Sequence, residues 1–343
     1  MSRWPGLVFQ GIVVAGLLVL AASIGTAAPT GASPDLITQD LTTGLTPAAL
    51  AQALVSGGVT ISNVTYTGAD VAAGAFSGGT GIIGFPSGII LSSGNIADVA
   101  GPNENDATGT GNGTPGDTNL NTLSGFETFD AAVLEFDFVP KTSTVSFRYV
   151  FASEEYNEWV NTQYNDVFAF FINGVNCATV PGTGQPISIN TINNGNPFGT
   201  DPRQNPALYR NNDLEDGGGS IDTEMDGLTV VLTCVAPVNA NVLNHMKLAI
   251  ADASDEIYDA VVFLEAGSLV GAGPGDTNCS GGTDAVDALH VLRKVAGLQP
   301  EAECIAVGNV KCDDDLTAVD ALFILRRVAG LPVNLPPGCP AIP

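Results

Sequence analysis

The sequence predicts a mainly β protein, an antiparallel β-sandwich or jelly roll followed by a small α-helical domain. Three observations support this fold class. Short runs rich in Val, Ile, Phe and Tyr recur between residues 59 and 270, with Gly, Asn and Pro between them. No β-α-β alternation is present, which disfavours a doubly wound enzyme fold. Finally, residues 275–298 return as a diverged copy at 308–331, shifted by 33 residues, so each copy is one supersecondary unit.

The N-terminus has the layout of a secretory signal peptide over residues 1–28. A single Arg precedes an apolar run from residue 7 to 24, and small residues follow at 25–28. An uncleaved membrane anchor is the alternative, because the run approaches spanning length. No basic stop-transfer flank follows, so we expect signal cleavage, a secreted or cell-surface protein, and no membrane span in the mature chain.

The composition sets limits on domains and partners. The 343 residues carry a formal net charge of −25. This charge disfavours nucleic acid and anionic membrane surfaces as partners, since phosphate binding needs clustered Lys and Arg. It fits a calcium-rich or salty extracellular setting, or it serves solubility alone. The length allows one domain at 34–270, a short linker at 271–274 and a small domain at 275–343.

The domain at 34–270 begins with a helix from Pro47 to Val55, for which Thr46 is a suitable cap. The rest has the signals of strands. Alternation is cleanest at 144–152, where Val, Phe, Tyr and Phe occupy every second position. The predicted strands are 59–66, 88–92, 131–139, 144–152, 166–172, 186–192, 228–236, 245–251 and 260–266.

Two long polar stretches, 101–123 and 190–219, interrupt the strands and predict surface loops. The first is too polar and glycine-rich to pack by itself, so we expect it to be ordered only if a ligand or an ion holds it. Its glycines do not lie between a strand and a helix, which disfavours a phosphate-binding loop.

The first C-terminal copy has the ligand spacing of an EF-hand-type calcium loop. Oxygen-bearing side chains and one backbone carbonyl stand where such a loop places its ligands, and Gly281 is at the sharp turn. The predicted Ca²⁺ ligands are Asp276, Asn278, Ser280, Gly282, Asp284 and Asp287, where Asp at the last position replaces the usual Glu. A helix follows to Gly297, and its apolar stripe is expected to pack against the other copy: Val286, Leu289, Leu292 and Val295.

The second copy departs from this pattern. Lys311 stands at the third loop position and Asp314 at the glycine position, so we expect a weakened or distorted site. Its candidate ligands are Asn309, Asp313, Asp315, Thr317 and Asp320.

With these residues, the C-terminal segment resembles the type I dockerin family, which carries two such loop–helix repeats. The resemblance implies that the small domain attaches its parent protein to a cohesin-type module on a scaffold or cell surface. It also implies that near-symmetric helices can dock by either copy. The residues that we expect to contact the partner are Ala285, Val286, Arg293 and Lys294 in the first copy, and Ala318, Val319, Arg326 and Arg327 in the second.

The six cysteines are expected to form disulfides in an exported chain. Repeat symmetry suggests the pairs Cys279–Cys304 and Cys312–Cys339, which leaves Cys177–Cys234. Fifteen pairings are formally possible, so this connectivity is a hypothesis. A zinc site is the alternative, but no C-x-x-C pair is present and the two histidines do not cluster with the cysteines.

Acidic residues also gather in the β domain, around the strands at 148–174 and 248–269, with a third small group at Asp222, Glu224 and Asp226. Over 91–269 these stretches resemble the choice-of-anchor L domains of bacterial surface proteins, through FRYVFASEEY, NDVFAFFINGVN and IADASDEIYDAVVFLEAGSL. The family is identified mainly by its position upstream of varied attachment modules. The resemblance implies no catalytic residues.

Three interpretations of these acids remain open. A second calcium site could use Glu154, Glu155, Asp166, Asp252 and Asp255. A glycosidase carboxylate pair is another possibility, although abundant acids make any pair uninformative. The third is solvated turns. No G-x-S-x-G motif supports a serine hydrolase. Tyr156, Trp159 and Tyr164 could stack on sugars, but packing at the edge of the core is favoured.

The sequence therefore favours an exported, non-catalytic surface protein for adhesion or ligand binding, attached through a calcium-dependent C-terminal domain. The alternative is a component of a polysaccharide-degrading complex, either a glycoside hydrolase or a carbohydrate-binding module, with a polysaccharide as its ligand. A third hypothesis is that the repeat pair binds calcium only to stabilise the fold, without a cohesin partner.

Overall fold

A computed structural model describes Met1 and residues 35–56, 59–278, 280–298, 302 and 304–343. The predicted signal peptide, apart from Met1, and Cys279 lie outside these residues. Ser33–Pro343 forms one compact unit. Within the described part of the chain, no helix combines the length and apolar character needed to cross a bilayer.

Two antiparallel sheets dominate the unit, in agreement with a β-sandwich. The strands are β1 (Ile37–Asp40), β2 (Val59–Thr67), β3 (Ala73–Ser77), β4 (Ser87–Ser92), β5 (Thr128–Pro140), β6 (Thr144–Ser153), β7 (Val167–Ile172), β8 (Val175–Asn176), β9 (Tyr209–Asn211), β10 (Gly227–Thr229), β11 (Leu232–Pro237), β12 (Asn244–Ala253) and β13 (Ala260–Glu265). The α-helices are α1 (Pro47–Leu54), α2 (Thr118–Ser124), α3 (Ala285–Val295) and α4 (Ala318–Val328). Short 3₁₀ turns lie at Leu41–Thr43, Asp70–Ala72, Ile96–Val99, Pro206–Leu208 and Ile305–Gly308.

The larger sheet has the order β1-β3-β4-β13-β6-β10-β9, and β11 pairs with β6 beyond the end of β10. The smaller sheet has the order β2-β5-β12-β7-β8. Strand β6 is therefore central: it pairs with β13 on one edge and with both β10 and β11 on the other. The site residues discussed below follow directly from its C-terminal end.

The predicted alternation in β6 is confirmed, because Phe147, Tyr149 and Phe151 all point into the core between the sheets. The Phe147 ring lies 4.8 Å from that of Phe170 on β7, and Phe151 stacks on Phe168 at 5.4 Å. The opposite face of β6 is also buried, in a second apolar cluster. This explains why Val150 and Ala152 occupy this face, which also carries the buried Ser146 and Arg148 nearer the start of the strand.

Most predicted strands are confirmed, but two predictions need correction. Residues 186–192 form no regular strand and make only isolated bridges. There the Thr191 hydroxyl accepts from Ser188 N at 3.0 Å, and Thr191 N donates to Ser188 O at 3.1 Å, which closes a local turn instead. The polar stretch 101–123 ends in α2, where Asp117 caps the first turn by accepting from Asn119 N and Leu120 N.

The C-terminal helical pair, α3 and α4 with their preceding loops, packs through Ala288 and Val291 of α3 and Ala321 and Ile324 of α4. The prediction that the stripe of Val286, Leu289, Leu292 and Val295 faces the other copy is wrong, since these side chains are 40–53 % exposed. The reason is Asp287, which turns inward to bind the loop and is fully buried. This fixes the rotation of the helix, so residues on the Asp287 side face inward and the stripe beside it faces outward.

The helical pair is packed directly against the sandwich. The linker at 271–274 includes a buried Ala272, whose carbonyl accepts from Ser146 Oγ at 2.8 Å. Arg148 of β6 pairs with Glu265 of β13 at 3.0 Å and donates from Nη2 to the carbonyl of Asp313 at 3.2 Å. Strand β6 thus contacts both the sandwich core and the second C-terminal loop.

Candidate functional site

The first C-terminal loop brings its six predicted ligands into one closed turn. Asp276 accepts from Ser280 N at 2.9 Å through Oδ1 and from Gly281 N at 2.8 Å through Oδ2. Asp287 reaches back from α3, accepting from Asn278 N at 3.3 Å and from Asp284 N at 2.7 Å. The Gly282 carbonyl accepts from Ser280 Oγ at 3.1 Å. The loop therefore has the oxygen-rich lining that its sequence predicts.

Two carboxylates meet at the buried side of this loop. Asp276 is 2 % exposed and Asp287 is fully buried. Burial raises the pKa of Asp276, and the Asp287 charge raises it further, while hydrogen bonds from Gly281 and Ser280 oppose the shift. Two buried carboxylates that repel each other, surrounded by amide and hydroxyl oxygens, form a donor set that suits a hard cation such as Ca²⁺. The residues present fit the predicted ion.

The second loop contains a cation of its own. The Lys311 ammonium contacts Asp313 Oδ2 at 2.5 Å and lies 3.9 Å from Asp320 Oδ2. Asp320 is fully buried and also accepts from Thr317 N and Thr317 Oγ1. Asn309 Nδ2 donates to the Asp313 carbonyl at 2.5 Å, while Asn309 Oδ1 is buried and has no hydrogen-bond partner among the described residues. Asp315 is exposed. Lys311 therefore neutralises the carboxylates that would otherwise face a metal ion.

The two helices present matching apolar faces to solvent. Val286, Leu289, Leu292, Val295 and Leu298 in the first copy are matched by Val319, Leu322, Leu325, Val328 and Leu331 in the second, each 39–53 % exposed. We call these ten residues the twin stripe. Ala285 and Ala318 are exposed beside it. The sequence predicts partner contacts for Val286 and Val319 but not for the other eight residues, because its periodicity also predicts that the first-copy stripe packs against the other copy.

Basic residues border the twin stripe at the end of each helix, namely Arg293 with Lys294 and Arg326 with Arg327. In the second copy, Arg326 donates to the Pro332 carbonyl at 2.7 and 2.9 Å, and Arg327 donates to the Ile342 carbonyl at 2.7 Å. Both arginines therefore also fasten the C-terminal tail, a structural role that the sequence analysis did not predict.

Two of the predicted disulfides are confirmed. Cys177–Cys234 joins the residue after β8 to β11, with a Cα–Cα distance of 5.5 Å. Cys312–Cys339 joins the second C-terminal loop to the C-terminal tail, with a Cα–Cα distance of 5.8 Å. Cys304 is disulfide-bonded, and its predicted partner Cys279 lies outside the described residues.

The five acids proposed for a calcium site in the sandwich divide between two groups. Glu154 and Glu155 directly follow β6, and both are buried, yet different carboxylates surround them. We call Glu155, Asp166, Asp252 and Asp255 the Glu155 group: the Asp166 charge acts on both Glu155 and Asp252, and the Asp255 charge acts on Glu155. The charges that act on Glu154 are those of Asp226, Glu224 and Asp259. Both glutamates lie in the turn that follows β6, and each faces a different set of carboxylates there.

The Glu155 group is deeply buried. Burial, with the Asp166 and Asp255 charges, raises the pKa of Glu155 to about 10. Burial and the Asp166 charge also raise the pKa of Asp252. Neither carboxylate oxygen of Asp252 has a hydrogen-bond partner among the described residues. The Ser93 hydroxyl is near enough to oppose the rise in the pKa of Asp252, but the hydrogen bond that it donates goes to the Ala260 carbonyl, at 3.3 Å.

The Glu154 group includes residues that the sequence analysis did not assign to any site. Burial, followed by the charge of Asp226, raises the pKa of Glu154. Thr108 bridges two carboxylates, donating from its backbone N to Glu154 at 3.2 Å and from its hydroxyl to Glu224 at 2.8 Å. Asn103 donates to Asp226 at 2.7 Å. The sequence shows the acidic cluster at 222–226, but no sequence pattern indicates that this cluster lies beside Glu154.

Several carboxylates of the sandwich hold the polar loop at 101–117 in place. Backbone N–H groups of the loop donate to Glu224 from residues 104 and 105, to Asp259 from Thr110, and to Asp130 from residues 112 and 114. A glycine-rich polar segment with no apolar anchor is thus ordered by acceptor groups from the sandwich, which satisfies backbone donors that would otherwise need water.

An aromatic pocket of about 110 Å³ lies beside Glu155 and is lined by Trp159, Tyr164 and Tyr258 together with Asp255. Trp159 meets Tyr164 edge-on at 5.1 Å. Tyr156 takes no part, because it is fully buried and donates to the Ile192 carbonyl at 2.7 Å. Burial of Tyr156 agrees with the favoured prediction of packing in the core, while Trp159 and Tyr164 are partly exposed.

Over the described residues, no three His, Cys, Asp or Glu side chains converge in the arrangement of a metal cluster. The oxygen sets described above combine at most a few carboxylates with amide, hydroxyl and carbonyl oxygens.

A family model described as Choice-of-anchor L domain matches residues 38–270, which covers the sandwich and ends before the C-terminal helical pair. No curated protein and no solved structure matches the chain.

Proposed function

We propose that this chain, which belongs to the choice-of-anchor L domain family, is a non-catalytic surface protein held in place by its C-terminal helical pair. Family membership supports a surface-associated, extracellular setting. In this proposal the pair is a dockerin-like module that binds a cohesin-type partner in the presence of calcium. The sandwich then presents its loops away from the point of attachment.

The single observation that carries the proposal is the twin stripe. Ten apolar side chains lie 39–53 % exposed at equivalent positions of the two copies, eight of them on the helices. Monomeric proteins rarely leave large contiguous apolar surfaces in water, and such patches usually mark interaction sites. The same residue pattern in both copies supports a partner that can recognise either helix.

The charges near the twin stripe indicate the chemistry of the partner. Each helix ends in a basic pair, on a chain with a net charge of −25. A complementary partner would present an apolar face with acidic residues at its border, since opposite potentials speed association and fix the register. This fits a protein surface better than a polysaccharide.

Calcium would organise the first loop in this proposal. Asp276, Asn278, Ser280 and Asp287, with the Gly282 carbonyl, would hold the ion, and its positive charge would offset the repulsion between the two buried carboxylates. Because Asp287 also sets the rotation of α3, the first loop and the exposure of the stripe are linked. The second loop, neutralised by Lys311, would keep its shape with less need for an ion.

A pull-down from a cell-envelope extract tests the attachment. The full chain should recover, only with calcium present, a protein that mass spectrometry identifies as carrying a cohesin-like module. Leu289→Asp or Leu322→Asp alone should weaken recovery little, because one helix remains intact, whereas the double variant should abolish it. Val242→Asp, at an exposed apolar position of the sandwich, is the matched control.

Two results would contradict the proposal. One is equal recovery of the same partner by the double variant and by wild type. The other is recovery that survives both EDTA and the pair of substitutions Asp276→Asn and Asp287→Asn. Reversal of the basic pairs gives a further check: reversing Arg293 and Lys294 alone should have little effect, and reversing all four basic residues should abolish binding.

One observation favours a second candidate function, carbohydrate binding by the sandwich. The pocket at Trp159, Tyr164 and Tyr258 combines aromatic faces with the acids Glu155 and Asp255, a combination that can hold a sugar ring. A glycan array with Trp159→Ala tests it, and binding unaffected by that substitution would exclude the pocket.

A further inference from the structure

Three buried oxygen atoms near the end of β6 have no hydrogen-bond partner among the described residues. They are Glu154 Oε1, Asp226 Oδ2 and Asn103 Oδ1. The residues themselves are 0 %, 0 % and 7 % exposed. Buried acceptors without a donor are costly and uncommon in folded proteins, so three on adjacent residues point to a missing electropositive partner.

The hydrogen bonds around these atoms fix their orientation. Asn103 donates from Nδ2 to Asp226 Oδ1 at 2.7 Å and to the Asn212 carbonyl at 3.0 Å. Since both bonds require the NH₂ group, the amide oxygen is the atom left over. Glu154 uses Oε2 to accept from Thr108 N at 3.2 Å, which leaves its Oε1. In each of the three residues, a hydrogen bond fixes one polar atom of the side chain, and one oxygen has no donor among the described residues.

The electrostatics agree with a shared centre. Ser153 of β6 pairs with Gly227 of β10, so Glu154 and Asp226 are the next residues along these two neighbouring strands. In agreement, the Asp226 charge has the largest effect after burial in raising the pKa of Glu154. The pKa of Asp226 is raised to about 8, by burial first and then by Asp213 and Glu158, against the hydrogen bond from Asn103. Three described basic side chains form their ion pairs elsewhere: Arg148 pairs with Glu265, Lys247 with Asp117, and Lys311 with Asp313 in the second C-terminal loop.

The donor set identifies the class of ligand. Two carboxylate oxygens and one amide oxygen are hard donors, and the group contains no imidazole or thiolate of the kind that zinc or copper prefers. Calcium accepts such mixed sets and completes its shell with water or carbonyl oxygens. Asn103 belongs to the polar loop. Glu154 accepts a hydrogen bond from Thr108 of the same loop, and Asp226 accepts one from Asn103, so all three residues lie where the loop meets the sandwich.

We propose that Glu154, Asp226 and Asn103 form a calcium-binding centre that secures the loop at 101–117 to the sandwich. The centre uses none of the residues of the Glu155 group or of the two C-terminal loops. It does not depend on the proposed attachment function.

Equilibrium dialysis against Ca²⁺ with elemental analysis tests the centre in the full chain. Asp276→Asn and Asp287→Asn are introduced first, so that the first C-terminal loop contributes no ion. In this background, Asp226→Asn should bind one calcium fewer than Asp222→Asn, or bind it with an affinity lower by about tenfold or more. Asp222 is the matched control because it is four residues away, partly exposed, and has no role in the centre.

Two further measurements keep the test decisive if a variant is unstable. In EDTA, Asp226→Asn should be at least as thermostable as the background, because it removes a buried negative charge. Calcium should raise the melting temperature and slow proteolysis within 101–117 in Asp222→Asn but not in Asp226→Asn. Glu154→Gln should behave as Asp226→Asn does.

Equal calcium stoichiometry and affinity for Asp226→Asn and Asp222→Asn would overturn the proposal. So would a calcium-induced rise in melting temperature of the same size in both variants. In either case, protons or buried water would satisfy the three oxygens instead. Failure of the C-terminal loop to bind calcium would leave this comparison unaffected, since it is made with that loop already removed.

Discussion

Arg148 links the sandwich to the C-terminal helical pair, and its removal should be one of the most destabilising single changes in the protein. Its guanidinium binds both oxygens of Glu265 from Nη1, at 3.0 and 3.1 Å, and donates from Nη2 to the Asp313 carbonyl. The side chains of Arg148 and Glu265 are only 11 % and 18 % exposed. We therefore treat the pair as buried.

The magnitude follows from this geometry. At 3.0 Å and an effective dielectric constant of about 20, the attraction is about 5 kcal/mol before desolvation is subtracted. Breaking a buried pair by removing one partner costs about 3–5 kcal/mol, because the remaining charge is left without compensation. Arg148→Met should therefore lower the free energy of unfolding by about 3 kcal/mol or more. The loss of the bond to Asp313 should add local loosening of the second C-terminal loop.

Urea denaturation of a double-mutant cycle measures this effect. Arg148→Met, Glu265→Leu and the double variant should give a coupling energy of about 2 kcal/mol or more, because the double variant leaves no unpaired charge. Burial raises the pKa of Glu265 while Arg148 lowers it. Without Arg148, Glu265 should bind a proton more readily, so the penalty should be smaller at pH 5 than at pH 8. A penalty below about 1 kcal/mol, typical of a surface pair, would refute the reasoning.

Three further predictions concern charge, pH and covalent linkage. Lys311→Asn replaces the internal cation of the second loop with a ligand, so calorimetry should detect one additional calcium per chain; unchanged stoichiometry would contradict the role given to Lys311. Burial raises the pKa of Asp259 to about 7, so the folded state binds its proton more tightly than the unfolded state, and stability is lost as pH rises from about 4 to 7. Asp259→Asn should flatten this part of the melting-temperature profile, and an unchanged slope would argue against it. Replacing Cys312 and Cys339 by Ser removes a disulfide between residues 27 positions apart and should lower the free energy of unfolding by about 3.5 kcal/mol, because the unfolded chain gains loop entropy. Hydrogen–deuterium exchange should then show faster exchange in the C-terminal tail.

Several features could be predicted because they depend on local order along the chain. The spacing from Asp276 to Asp287 determines a closed oxygen-lined loop, since every partner lies within twelve positions. The predicted cap at Thr46 begins α1 through a bond from a backbone N–H three positions away. The alternation in β6 determines which side chains enter the core, because the pleat has a period of two. Repeat symmetry suggested the Cys312–Cys339 pair, which the structure confirms.

Other features were decided only by tertiary structure. The helical periodicity of α3 shows an apolar stripe but not which side is covered; the inward turn of buried Asp287 set that rotation and left Leu289 and Leu292 exposed. Glu154 and Glu155 are adjacent in sequence, yet their environments depend on Asp226 and Asp166, which reach them from different segments. Such groupings depend on which distant loops converge at the end of β6. Sequence order carries little information about that convergence, because polar loops lack the periodic pattern that identifies helices and strands.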